Sequence, residues 1–432
     1  MDQIFEHETI SIDEALAASP KACGVLALFG AQGDKPYLAK TTNLHRRFAR
    51  LLQPAEGQTA RIALRDRIAK IAWRITGSDF ESNLVLYRAY AEYFSLDEAR
   101  KRLKLRAPYF IRFAAENRFP RLYVTNKLTR RALKHTYGPF ASRAAAERYL
   151  DGVHELFKLR RCHEELRPAH DHPGCVYGEM KKCNAPCQLR VSDEEYGAEA
   201  KAVADFLNTR GESLLTTIAT ERDRASEAME FEAAAAAHAR YTEVKATAES
   251  AGEIVRPVSE LRAVLLLPSA RDATTVEAWL LHGGCLRGPK RFSTLGIRIA
   301  KEQSQVGSSL FAQPLMLQPV ALDEAVSTET PEERLLALLT QLEDGTPPTA
   351  NLDEVADHLA LLKRWYYRPE IKRIGTICFP ENGSWPVRKL VRAAAKVSMK
   401  AGAGAISPTW QSEAATPQPD TDDAAVTDKL SS

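Results

Sequence analysis

The sequence predicts a multidomain α+β protein, and three observations carry that expectation. At 432 residues the chain is longer than one hydrophobic core usually organises. Its 44% hydrophobic and 27% charged residues are ordinary for globular protein, which argues against wholesale disorder. The apolar pattern also changes along the chain. Short strand-like runs alternate with amphipathic helices up to about residue 100, helix dominates beyond Ser192, and strand-like runs return beyond Pro257. The expected division is a small α/β domain over 22–100, a basic connecting region over 101–160, a cysteine cluster over 161–190 and a helical hairpin over 192–252. A C-terminal α+β domain over 258–400 and a disordered tail over 401–432 complete it.

In the first domain, Gly24 to Phe29 and Lys35 to Ala39 read as strands around the turn-forming residues Gly30 to Asp34. Asn43 is placed to cap a helix whose Leu44, Phe48, Leu51 and Leu52 share one face while Arg46, Arg47 and Arg50 project elsewhere. Trp73 to Ile75 suggests a third strand, and Gly77-Ser78-Asp79 introduces a helix from Phe80 to Phe94.

The formal net charge of +3 conceals an asymmetry. Residues 101–150 hold thirteen Lys and Arg, among them Arg130 and Arg131, against two Glu; the segment carries +11 and the rest of the chain −8. Interleaved aromatics (Tyr109, Phe110, Phe113, Phe119, Tyr123) give it the composition of a phosphate-binding surface over a packed underside, the alternative being a solvated basic face.

Two long antiparallel helices are expected after Ser192, with breaks near Asn208 to Gly211 and Glu230 to Glu232. Strands at 263–267, 275–281, 286–292 and 375–379 and helices at 331–343, 352–367 and 387–400 follow. The first thirty residues are acidic and lack a basic leader, and no run approaches eighteen apolar residues, so a cytoplasmic protein without membrane contact is expected. Four of the seven cysteines fall within 26 residues, a pattern of metal binding rather than of disulfides in a reducing compartment.

Gly24-Val25-Leu26, Tyr37-Leu38-Ala39-Lys40 and Asn43-Leu44-His45-Arg46-Arg47 resemble the GIY-YIG nuclease module at the front of UvrC and its shorter homologue Cho. That module surrounds a scissile phosphate with two Tyr, a helix Arg that offsets growing charge and a Glu that holds a divalent cation. The resemblance carries the second Tyr onto Tyr37 and the Arg onto Arg47, a remnant catalytic pair, with Arg46 beside them facing DNA. It departs elsewhere: Leu26 stands for the first Tyr, Ala39 for the final Gly and Leu86 for the metal-binding Glu. Glu81 cannot replace that ligand, because five residues turn a helix by about 500° and leave positions 81 and 86 about 140° apart. Mg2+ is therefore implied only if the site is active.

Cys162, Cys175, Cys183 and Cys187, with 12, 7 and 3 residues between them and preceded by Tyr137-Gly138-Pro139-Phe140, resemble the UvrC cysteine region. There a similar spacing is associated with an iron-sulfur cluster; four thiolates equally suit zinc. Ala228-Met229-Glu230-Phe231-Glu232-Ala233-Ala234 resembles the UVR motif, the hairpin through which UvrC meets UvrB, with Met229 and Phe231 as apolar anchors and Glu230 and Glu232 as charge complements. An intramolecular helix pair would bury the same residues. The RNase H-like nuclease and helix-hairpin-helix units of UvrC find no counterpart in 258–400. The resemblance implies a UvrC-like component of nucleotide excision repair that binds DNA, through Arg46, Arg47, Arg130 and Arg131, and a UvrB-like protein, with a front module that does not cut. A Cho-like endonuclease incising on one side of the lesion is the alternative.

Overall fold

A computed structural model describes residues 4–30, 35–52, 67–297, 329–344 and 351–403. The turn expected at 31–34 and the tail expected from 404 onward lie outside those residues. Three four-stranded antiparallel sheets organise the rest.

The first sheet has the order β1-β4-β2-β3, with β1 His7–Thr9, β2 Gly24–Gly30, β3 Tyr37–Thr41 and β4 Ile68–Ile75. Leu26 lies opposite both Ala39 and Trp73. Because side chains alternate across a strand, Leu26, Leu28, Tyr37, Ile71 and Trp73 pack with the helix Leu44–Leu52 on one face, and Val25, Ala27, Leu38 and Ala72 pack on the other. The short β1 and the helix Ile12–Ala18 replace the irregular start that the sequence suggested.

The helix Asp79–Tyr93 covers that second face and is buried almost all round, its polar Glu81, Ser82 and Asn83 included. Ser78 caps it, accepting from the Glu81 N–H at 3.1 Å. Asp79, Asn83, Leu86 and Tyr90, at spacings of four, three and four, look toward the first sheet: Lys40 of β3 binds Asp79 and Asn83, and Tyr90 Oη donates to the Leu38 carbonyl at 3.1 Å. Phe80 and Tyr87 face the helix Leu352–Tyr366, through Trp365 and Asp357. Arg88 reaches the carbonyls of Gly288 and Leu286 in the third sheet.

The second sheet has the order β6-β5-β7-β8, from β5 Tyr109–Phe113, β6 Leu122–Thr125, β7 Thr136–Phe140 and β8 Arg256–Pro257. The motif Tyr137-Gly138-Pro139-Phe140 is the body of β7. The helices Arg143–Leu156 and Asp193–Asn208 pack over it, the latter opened by a complete capping box between Ser192 and Glu195.

The third sheet has the order β11-β10-β9-β12, from β9 Arg262–Pro268, β10 Thr275–His282, β11 Cys285–Ser293 and β12 Thr376–Cys378. Val264 and Leu266 meet the helices Pro331–Glu343 and Val387–Ala403 on one face. Leu265, Leu267 and Trp279 enter the core shared with the helix Asp79–Tyr93 on the other. Burial on both faces explains the unbroken apolar run Ala263 to Leu267. Among the described residues no helix is long and apolar enough to cross a membrane.

Candidate functional site

Strand β3 fixes Tyr37, and the helix Leu44–Leu52, capped where the Asn43 carboxamide accepts from the Arg46 N–H at 2.8 Å, fixes Arg47. The two meet: Arg47 Nη2 donates to Tyr37 Oη at 2.7 Å. The hydroxyl is held at the edge of the apolar layer made by Leu26, Phe48 and Trp73, while Arg46 stays exposed. Leu86 is not brought to this pair. It faces Leu38, across the first sheet from Tyr37, and is 6% exposed. Among the described residues no group of three or more His, Cys, Asp or Glu side chains is arranged to hold a metal ion.

Glu81 points instead into the junction with the third sheet, accepting from the Gly77 N–H at 2.9 Å. Burial, with Glu277 and Glu6 nearby and Arg74 and the Gly77 N–H opposing, raises its carboxyl to about 7. The surrounding charges are matched: Glu6 pairs with Arg271 and, at 3.1 Å, with Arg291, which also meets Glu277 at 3.3 Å.

The basic block divides in two. Arg112 pairs with Glu116 at 2.6 Å, Arg118 grips Asp193 through two hydrogen bonds of 2.9 and 3.1 Å, and Arg143 pairs with Glu147 at 2.7 Å. Arg130 and Arg131 stand exposed on the 3-10 turn Arg130–His135, between exposed Lys127 and Lys134, and none of the four makes an ion pair with a described residue. Arg130, Arg131 and Lys134 lie on the turn itself and Lys127 just before it.

Cys162 and Cys175 are half-buried and Cys183 and Cys187 buried, all four as free thiols in one electrostatic neighbourhood. Burial raises the Cys183 thiol to about 11, against a 3.3 Å hydrogen bond from the Ala185 N–H and with the other three sulfurs adding to the rise. Arg160, a residue the sequence marks only by its nearness to Cys162, is buried and organises this loop. Its guanidinium donates to the Phe119 carbonyl and the Glu164 carbonyl, both at 2.9 Å, and lies 3.9 Å from the Cys162 sulfur. Of the neighbouring histidines, His163 takes a 2.6 Å contact from Arg121 and His172 accepts from the Gly174 N–H at 3.0 Å. Cys285 and Cys378 are buried small side chains, and Cys23 is half-buried.

The helices Glu212–Glu227 and Phe231–Glu249 pack as an antiparallel pair. The first ends in a Schellman closure: the Glu230 N–H donates to the Ala225 carbonyl at 2.8 Å and the Met229 N–H to the Ser226 carbonyl at 3.1 Å. The left-handed position of such a closure usually takes glycine; here Met229 occupies it, at φ +58°. Met229 and Phe231 are 75% and 72% exposed, and every residue from 226 to 233 is exposed. The hairpin tip therefore displays its apolar side chains rather than packing them within the chain, and Glu230 and Glu232 flank them.

The cysteines, the exposed arginine turn and the helix Asp193–Asn208 all lie in the stretch that known proteins recognise. Residues 109–206 match the family model for the middle domain of the UvrC/Cho excinuclease. The chain is UvrC-like. It is 31% identical over 212 residues to UvrABC system protein C of Alcanivorax borkumensis, covering 49% of this chain and 34% of that relative. The protein of the same name from Trichlorobacter lovleyi is 25% identical over 337 residues, 74% of this chain and 53% of its own length. That from Bradyrhizobium diazoefficiens is 23% identical over 354 residues, 79% and 45%. The UvrC-like chain thus spans about a third to a half of these relatives. No solved structure matches it.

Proposed function

We propose that this UvrC-like chain serves nucleotide excision repair as a component that binds DNA and a UvrB-like partner, with a front module that holds a phosphodiester without cutting it. The observation that carries the reading is the position of Leu86, an aliphatic side chain inside the core and on the far side of the sheet from Tyr37 and Arg47. A guanidinium and a phenol can cradle a phosphate, but neither supplies the anionic oxygens that anchor a divalent cation. Arg47 would contact the backbone, Tyr37 would hold Arg47 in place, and the turn carrying Arg130 and Arg131 would extend the contact.

Two further parts support the reading. The hairpin tip offers Met229 and Phe231 as anchors for a matching helical hairpin of a UvrB-like protein, with a rim of acidic charge. The four cysteines suit an iron-sulfur cluster, or zinc. Among the described residues they do not stand around one common metal position, yet four neighbouring thiols beside the Arg160 guanidinium and the Ala185 N–H are a donor set that a metal ion would bind with loss of their protons. Such a group would brace the loop between the second sheet and the helix Asp193–Asn208.

The preserved Tyr37–Arg47 contact favours one competing reading, a Cho-like endonuclease. Damaged duplex incubated with the chain, UvrA, UvrB and Mg2+ or Mn2+ decides between them. Retention of the duplex without incision is expected; cutting abolished by Arg47→Ala would overturn the non-cutting assignment.

A further inference from the structure

Two segments far apart in sequence meet at a second concentration of positive charge, only partly matched by acidic side chains. Arg364, near the end of the helix Leu352–Tyr366, donates through Nη2 to the carbonyls of Leu103 and Lys104 at 3.1 and 3.0 Å. This contact sets exposed Lys104 and Arg106 beside Lys363, Arg364 and Arg368. Lys104 adopts a left-handed backbone, φ +49°, which turns the chain there.

The local counter-charge is Asp79, and it is already shared. One of its oxygens takes Lys40 Nζ at 2.6 Å and the other takes Arg368 Nη2 at 3.2 Å. Lys104, Arg106 and Lys363 make no ion pair with a described residue, and Arg364 donates to main-chain carbonyls. The cations also crowd one another. Burial, with Arg364 and Arg106 nearby, lowers the Lys363 amine from its ordinary range, and burial lowers Arg364 as well. An arriving anion would be favoured here because it relieves repulsion that Asp79, already shared between Lys40 and Arg368, offsets only in part.

The shape limits what that anion is. The crevice between Asp79, Phe80, Arg364, Trp365 and Arg368 holds about 10 Å³, room for one water at most. A free phosphate or nucleotide finds no enclosure, so the ligand must lie across the surface and meet the cations in succession.

We propose that Lys104, Arg106, Lys363, Arg364 and Arg368 form a docking track for the phosphodiester backbone of duplex DNA, formed only where residues 101–106 meet the end of the helix Leu352–Tyr366. The inference rests on the reading of this chain as a DNA-binding protein. It adds a second contact, carried by different segments from the turn at Arg130 and Arg131.

The test is fluorescence anisotropy of a labelled duplex titrated with the whole chain at several salt concentrations. Arg106→Glu with Lys363→Glu is expected to weaken binding about tenfold to a hundredfold and to make log K against log salt shallower by about two. Arg130→Glu with Arg131→Glu should lower the same slope independently. Far-UV circular dichroism and melting establish folding, and Arg106→Gln with Lys363→Gln replaces the reversal if that variant does not fold. A double variant that keeps wild-type affinity and slope, on a wild-type chain that does bind, overturns this inference alone. A wild-type chain without salt-dependent DNA binding overturns both this inference and the reading beneath it.

Discussion

Gly77 lies directly against the carbonyl of Pro268: a β-carbon at residue 77 would stand 1.9 Å from that oxygen. The glycine lies in the turn that leads from β4 into the helix Asp79–Tyr93, and the proline ends β9, so the front module and the third sheet meet here. The contact is backbone against backbone and cannot be relieved by rotating a side chain.

Gly77→Ala should therefore push the two sheets apart. A loss of about 1 to 3 kcal/mol is expected, the range for overpacking, read as a lower urea midpoint for the whole chain. An unchanged midpoint would show that the junction yields freely.

Glu81, beside this contact, gives the junction a pH dependence. Its folded carboxyl lies near 7, above the unfolded value of 4.5, so the folded chain binds more protons in between. Its contribution is fully present below the unfolded value and is lost as pH rises through about 7. Glu81→Gln keeps an oxygen for the Gly77 N–H and removes the titration. The variant should lose that part of the pH dependence and gain up to about 3 kcal/mol on wild type above pH 7. Parallel stability curves from pH 5 to 8 would contradict the assignment.

Met229→Asp with Phe231→Asp should abolish capture of a UvrB-like protein while leaving the melting transition of the chain in place, because both side chains are solvent-exposed at the hairpin tip. Met229→Gly is the informative companion. It removes the apolar anchor but relaxes the left-handed position, so it should weaken capture and raise thermal stability by about 1 kcal/mol. Capture that survives both changes would place the partner elsewhere.

Protein purified without oxygen should be brown, with absorbance near roughly 400 nm, if an iron-sulfur cluster sits among the four cysteines. Cys183→Ala should remove the colour and loosen residues 162–189 to protease. Colourless protein with one zinc per chain would assign zinc, and protein with neither iron nor zinc would remove the metal site altogether.

Local chemistry was legible in the sequence and distant chemistry was not. Asn43, Ser78 and Ser192 cap helices as their identities predict, and the strands of the third sheet lie close to the apolar runs that announce them. Strand β1 was missed because three residues show no period; it exists because His7 lies opposite Trp73 across the sheet. The count of positive charge over 101–150 could not reveal that Arg112 is spent on Glu116 and Arg118 on Asp193. Nor could it show that Tyr87 donates to Asp357, 270 residues away, at 3.0 Å while Arg100 grips the same carboxylate. The stretch Phe80 to Tyr87 mixes Glu81, Ser82 and Asn83 with apolar residues, and only the packing reveals that it serves two sheets and a second helix together.

That shared burial makes position 86 a costly place for an acidic side chain. Leu86→Glu would set a carboxylate in the core between this helix and the first sheet, away from water. Several neighbours would have to become hydrophilic together before an acidic residue could be tolerated there. A helix enclosed on nearly every side acts as a keystone: the sheets it joins fix what its side chains can become.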